Sequence, residues 1–442
     1  MISILKYENH RTVHKAIDLV NGFKHLNAGD RIMIKPNAVG ADPGMPYFGM
    51  MTTATVVEGI VVALLAFGCR PENITIGDGG AARRELGLNT RVILAAMGMA
   101  HIARKYGVRV IDFNRAPMKP VECGKLTLDI ARPVLESDFL INVPVPKYHD
   151  QTLVTLSLKN LKGCLAPDSK RRCHTARLED HIAAFNTQIP CHLTVMDGIY
   201  LLRGGGPMID SGEPCCKNMI MAGTDRIEMD SAAAWILGVE PDKVRHLTEF
   251  ARLTGREADV GRVDWVGDDP ESFREPPFRG AMEVFGQNFQ RAKITGIHLQ
   301  PPGQTWCTGC NISLRAALYM LCKDNPGRDI GGVEILCGKQ TRAGGDYDRT
   351  ILFGDCPIKT NAKNKNIKAR LEIPGCPPSF MKSYPAMMRF LLPALPARWQ
   401  VAKNLTLGGL THTGLYRMRF PFFDELTRSA EFNPHDFYRN SK

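Results

Sequence analysis

Arg31-Ile-Met-Ile-Lys-Pro-Asn37 is the stretch that decides the fold. Its apolar run does not alternate, so it reads as a strand covered on both faces. Pro36 ends it, because proline brings no N–H to a sheet ladder. The pattern then repeats outward. Thr55 to Phe67 is apolar at helical spacing, opened by Thr52 and Thr53 as candidate caps and closed by Gly68. Asn73-Ile-Thr-Ile-Gly-Asp-Gly79 is a second strand ending in a glycine loop. Upstream, residues 1–25 read as a strand and an amphipathic helix. Downstream come strands at Phe139–Pro144 and Leu193–Asp197 and a helix over Asp225–Leu237. Strands alternating with helices predict an α/β fold: a mostly parallel sheet with helices on both faces.

At 442 residues the chain exceeds what one hydrophobic core usually serves. The reading is an α/β domain over 1–260 and a smaller cysteine-rich α/β domain over 284–385. A basic tail follows over 386–442. The Pro-, Gly- and acid-rich stretch from Val260 to Glu283 is expected to connect the domains. The Met387-Met-Arg-Phe-Leu-Leu run is expected to lie on a surface, a membrane or the parent domain. With 56 Lys+Arg against 45 Asp+Glu, the net charge is +11, which favours an anionic partner. No nucleic-acid-binding motif accompanies the charge, so a small anion is preferred over DNA or RNA. The N-terminus does not read as a signal peptide, and no run of about 18 apolar residues offers a transmembrane segment. A cytoplasmic protein is expected.

Thirteen cysteines in such a chain point to metal or redox work rather than disulfides. Trp306-Cys307-Thr-Gly-Cys310 is a CxxC opening a helical run, and Cys356 and Cys376 follow singly, the latter in Gly-Cys-Pro-Pro. Structural zinc sites come as two compact ligand pairs. A CxxC followed by separated cysteines favours a [4Fe-4S] cluster on Cys307, Cys310, Cys356 and Cys376. Zinc is the alternative, and Cys337 a substitute ligand or a neighbouring thiol.

Four strand ends carry polar residues, where open α/β sheets bind ligands. Lys35 and Asn37 end one, and Asp78 lies in the next, within Gly77-Asp-Gly-Gly80. Lys147 and His149 follow the third, and Asp197 the fourth. Ser157-Leu-Lys-Asn-Leu-Lys-Gly163 adds Lys159, Asn160 and Lys162, with the lysines three apart on one helical side. Lys35, Lys147, Lys159 and Lys162 are expected to surround an anion, with His149 as an acid or base titrating near neutrality. A metal shared by His174 and His181 is a weaker reading.

Ile34-Lys-Pro-Asn37, Thr52-Thr53, Gly77-Asp78, Asn142-Val-Pro-Val-Pro-Lys147, Leu158-Lys-Asn-Leu-Lys-Gly163, Met196-Asp-Gly198 and Gly205-Gly-Pro207 together resemble the domain-of-unknown-function family 362. The resemblance spans roughly residues 1–240. Members often carry iron–sulfur segments, which it implies here too. The interval from His149 to Lys159 is similar to the histidine–lysine interval of nickel-pincer lactate racemases, without the glycine-rich stretch between. That similarity implies His149 and Lys159 in proton transfer.

Three functions follow as expectations. One is an iron–sulfur oxidoreductase or electron-transfer protein with a small anionic substrate and a redox partner protein. The second is a non-redox acid–base enzyme of racemase or lyase type, with a structural cluster or zinc. The third is a protein that delivers metal or electrons to a partner.

Overall fold

The computed structural model describes residues 1–39, 48–80, 89–175, 177–204, 206, 213–278, 281–302 and 305–392. Gly205 and Pro207 of the glycine loop, and the tail beyond 392, lie outside the described residues. The chain divides into two compact units, Met1–Phe278 and a second beginning at Arg279.

In the first unit the strands are β1 (Ile2–Lys6), β2 (Ile32–Pro36), β3 (Ile74–Asp78), β4 (Arg109–Asp112), β5 (Met118–Cys123) and β6 (Leu126–Ala131). They continue as β7 (Phe139–Val143), β8 (Lys147–His149), β9 (Leu153–Thr155), β10 (Leu193–Arg203), β11 (Glu213–Gly223) and β12 (Trp265–Gly267). The main sheet runs β12-β1-β11-β10-β7-β2-β3-β4. The pairs from β10 through β7, β2 and β3 to β4 are parallel, while β11 is antiparallel to both its neighbours.

Successive β1 residues show why helices cover both faces, since side chains alternate across a strand. The Ser3 hydroxyl donates to the carbonyl of Ala16, on the His10–Leu19 helix, at 2.7 Å. Its neighbours Ile2 and Ile4 join a different cluster with Met229, on the Arg226–Ile236 helix. Burying β2 on both faces leaves its residues almost without exposure, as its unbroken apolar run requires.

Two expectations change here. The acidic stretch after Val260 is not a free connection, because Trp265–Gly267 pairs in parallel with β1 and carries the first unit on to Phe278. Leu193–Asp197 is the start of an eleven-residue strand, which pairs with the long β11.

The second unit holds four parallel strands, in order β13 (Thr295–Gln300), β14 (Asp329–Cys337), β15 (Arg349–Phe353) and β16 (Ala369–Ile373). Its core joins Leu314, Leu318 and Leu321 of the Thr308–Asp324 helix to Val333, Ile335, Ile351 and Phe353. The helix Phe380–Leu391 belongs to this core, with Met387, Met388 and Leu391 buried. The apolar run at 387 therefore packs inside its own unit, and the domain does not stop at 385. Among the described residues no helix is long and apolar enough to cross a membrane.

Candidate functional site

The carboxyl ends of β2, β3 and β7 bring Lys35, Asn37, Asp78 and Asn142 together. Asp78 and Lys35 form a fully buried ion pair at 2.8 Å. Asp78 also accepts the backbone N–H groups of Ala38 and Gly79, each at 2.7 Å. Lys35 donates to the Pro36 carbonyl at 2.9 Å. Asn160 ties these strand ends to the next helix: its Oδ1 accepts from Asn37 at 2.7 Å, and its Nδ2 donates to Asn142 at 2.8 Å. Lys147, also without exposure, donates to Asn37 Oδ1 and to the Met50 carbonyl, both at 2.5 Å.

The short helix Ser157–Asn160 carries Lys159, the turn Leu161–Cys164 that follows carries Lys162, and a buried carboxylate fixes the start of the helix. Asp230 accepts the N–H groups of Ser157 at 2.7 Å and Leu158 at 3.0 Å, completing the orphaned first turn. Burial outweighs those two bonds and pushes the Asp230 carboxyl up to about 7. Lys162 then meets Nε2 of His174 at 2.6 Å, whose Nδ1 lies 3.2 Å from Gln151 Oε1. Lys170 donates to the Gly79 carbonyl and, at 3.1 Å, to Asn114.

Among the described residues, then, Lys35, Lys147 and Lys170 lie around Asp78, while Lys159, beside Lys147 and Lys162, is also acted on by Glu179 and Asp150. Burial is the main force on the charge of Lys147, Lys159, Lys162 and Lys170, and neighbouring lysines add to it for Lys147, Lys159 and Lys170. Lys147 is pushed down to about 7. Lys162 and Lys170 are each pushed down to about 8, by burial first, with Lys162 and Lys35 also repelling Lys170. Lys159 falls well below its ordinary value through burial, then Lys162 and Lys147.

His149 is buried, and its surroundings set its protonation state. Its Nδ1 accepts from the N–H of Gln151 at 3.0 Å, so a neutral ring carries its proton on Nε2. Burial, then Lys159, His174, Lys162 and Lys147, hold it well below the ordinary histidine range. That leaves Nε2–H as the donor of the neutral ring. Asp197 also lies apart from the cluster in its contacts. It accepts from Thr53 N at 2.6 Å and Ile199 N at 3.2 Å, at the start of the Ala54–Phe67 helix. Lys170 and His174 join this site without having been expected there. Their spacing of four on the Pro167–Thr175 helix, which puts both on one face, is the signal in the sequence that marks them. His181 sits buried on the next helix, and its Nε2 makes no hydrogen bond among the described residues.

In the second unit, Cys307, Cys310, Cys337, Cys356 and Cys376 all lie at or beyond the carboxyl edge of the four parallel strands. Three loops converge there. Asp355 and Gly375 exchange two hydrogen bonds, Gly375 N to Asp355 Oδ1 at 2.8 Å and Asp355 N to the Gly375 carbonyl at 3.2 Å. These fasten the Cys356 loop to the Cys376 loop. Gly309 packs on Pro377 so closely that a Cβ there would come within 3.1 Å of the proline ring, which fastens the CxxC to Cys376. Burial pushes the Cys307 thiol up to about 11, and the neighbouring Cys310, Cys356 and Cys376 add to it. Cys376 is raised by burial and by Cys310 and Cys356.

Cys337 is a buried thiol beside Cys310. Burial keeps it protonated, it donates to Cys310, and it accepts from Trp306 Nε1 at 2.8 Å. Among the described residues no group of three or more His, Cys, Asp or Glu side chains is arranged to hold a metal ion.

Residues 32–235 match the family described as Domain of unknown function (DUF362). A thylakoid-associated protein of Synechocystis is 24% identical over 235 residues, 52% of this chain and 69% of that protein. Among solved structures, the lactate racemase apoprotein from Thermoanaerobacterium thermosaccharolyticum shares 11% identity at a TM-score of 0.37, over 78% of this chain and 71% of that one.

Proposed function

We propose that the first unit binds a small carboxylate- or phosphate-bearing substrate among its lysines. The second unit holds a [4Fe-4S] cluster on Cys307, Cys310, Cys356 and Cys376, so that the protein is an iron–sulfur oxidoreductase or electron-transfer protein. The observation that supports the substrate class is the burial of three lysines, Lys35, Lys147 and Lys170, around one carboxylate, Asp78, at the strand ends. The convergence of three cysteine loops supports the cluster. When bound, such a cluster supplies one-electron chemistry. The lysines orient the anion, and Lys162 or Lys170, near 8, takes or gives a proton beside it. His149 offers its Nε2–H to a substrate oxygen.

Anaerobically purified protein is expected to contain iron and sulfide near four each, and Cys376→Ala to lose most of both, since a cluster missing one of its four thiolates is poorly held. Full iron content in that variant, or a colourless protein holding one zinc, ends the cluster assignment.

Binding of an anion makes a separate, pH-signed prediction. At pH 8 Lys162 and Lys170 are each about half protonated, and a bound anion restores their charge. Titration calorimetry with inorganic phosphate in buffers of different ionisation heat should show uptake of at least about one proton at pH 8 and clearly less at pH 6. Equal uptake at both values would remove the lysines from the site.

The lowered lysines also favour the non-redox acid–base reading. Substrate turnover by the cluster-free Cys376→Ala protein would establish that reading over the redox one.

A further inference from the structure

The segment between the last two cysteines of the site is strongly one-signed. From Lys359 to Arg370 it holds Lys359, Lys363, Lys365, Lys368 and Arg370 and no acid. Lys368 pairs with Asp348 at 2.7 Å and Arg370 with Glu372 at 3.4 Å. Lys359, Lys363 and Lys365 are exposed and make no ion pair among the described residues. Arg342, also exposed, joins the same surface, because Asn361 accepts from Ala343 N at 3.0 Å and Asn364 donates to the Ala343 carbonyl at 3.1 Å. Lys339 lies close enough to Cys307 and Cys376 to act on both thiols. Lys359 is three residues beyond Cys356 on the Asp355–Thr360 helix, so charge and thiol share one side.

We infer that this basic rim is the docking surface for a small acidic electron-carrier protein, such as an acidic ferredoxin. The inference rests on the cluster reading above. Large apolar side chains are missing from the exposed positions of the segment, where Ile367 is buried and Ile358 partly so, and this argues against insertion into a lipid surface. Complementary charge without an apolar anchor gives fast, salt-sensitive encounter, which a shuttling carrier needs. In the exchange, one electron leaves the reduced carrier and enters the thiolate-held centre. No bond forms or breaks.

The test titrates an acidic plant-type ferredoxin into the full-length, anaerobically purified protein by calorimetry. Affinity should fall at least tenfold, roughly, between 20 and 300 mM salt. The triple variant Lys359→Glu/Lys363→Glu/Lys365→Glu should bind at least about tenfold more weakly at low salt, with unchanged melting and iron content. Salt-insensitive binding, unchanged affinity in the variant, or no binding by an iron-loaded protein overturns the surface. So does capture of phosphatidylglycerol–phosphatidylcholine vesicles through the same lysines without ferredoxin binding. Binding that follows these expectations in a protein without iron keeps the surface and rejects the cluster.

Discussion

Asp78→Asn is expected to destabilise the first unit by about 3–5 kcal/mol, the usual cost of stranding a buried charge. Asparagine keeps the size of the side chain. It loses the charge opposite Lys35 and points a donor at one of the two N–H groups that the carboxylate accepts. Lys35 has no exposure and no water to turn to. Hydrogen exchange of peptides from β2 and β3, read by mass spectrometry across denaturant, reports this unit separately from the other. Removing both charges, as Lys35→Met with Asp78→Asn, should recover part of the loss, because the penalty lies in the unpaired member. A loss under about 1 kcal/mol in the single variant would mean that the pair is far more hydrated than its burial indicates.

Gly163→Ala should do comparable damage by adding a single methyl group. A Cβ at this position would collide with Asp78 Oδ1 and stand 2.6 Å from Lys35 Nζ, where both atoms are fixed by other bonds. Overpacking of a tight site costs roughly 1–3 kcal/mol or more. Here it also separates the pair on which the anion site is centred. Phosphate affinity is expected to fall by at least about tenfold, equivalent to 1.4 kcal/mol. Gly29→Ala is the control: no atom lies within 4 Å of its added carbon, so stability should stay within about 0.5 kcal/mol. Equal melting of the two variants, with equal phosphate binding, would refute the packing argument.

The sequence exposes the frame of the fold more readily than its edges. The unbroken apolar run Ile32–Ile34 and the glycine-ended strand at Ile74 carry the parallel core in their own composition. Trp265–Gly267 does not, since a three-residue edge strand among prolines and acids gains its identity from its partner β1. The site divides the same way. Lys35, Asn37, Asp78 and Asn160 follow strand ends or a compact motif, so local pattern alone is enough to group them. Their inward aim, and the Asp230 cap arriving from about 70 residues downstream, depend on packing that no local pattern encodes. For His149 the residue type suggests a base near neutrality. Burial first, and then the surrounding lysines and His174, decide otherwise, and that neighbourhood is tertiary.

The three cysteine loops of the second unit follow strands that are neighbours in space and distant along the chain. A cluster bound as proposed would therefore be captured late, because β13, β15 and β16 must first adopt their correct alignment. A chain shifted by one residue in any of these strands would fold a sheet and still reject its cargo. Iron incorporation would then act as the cell's own inspection of whether this half of the protein was assembled correctly.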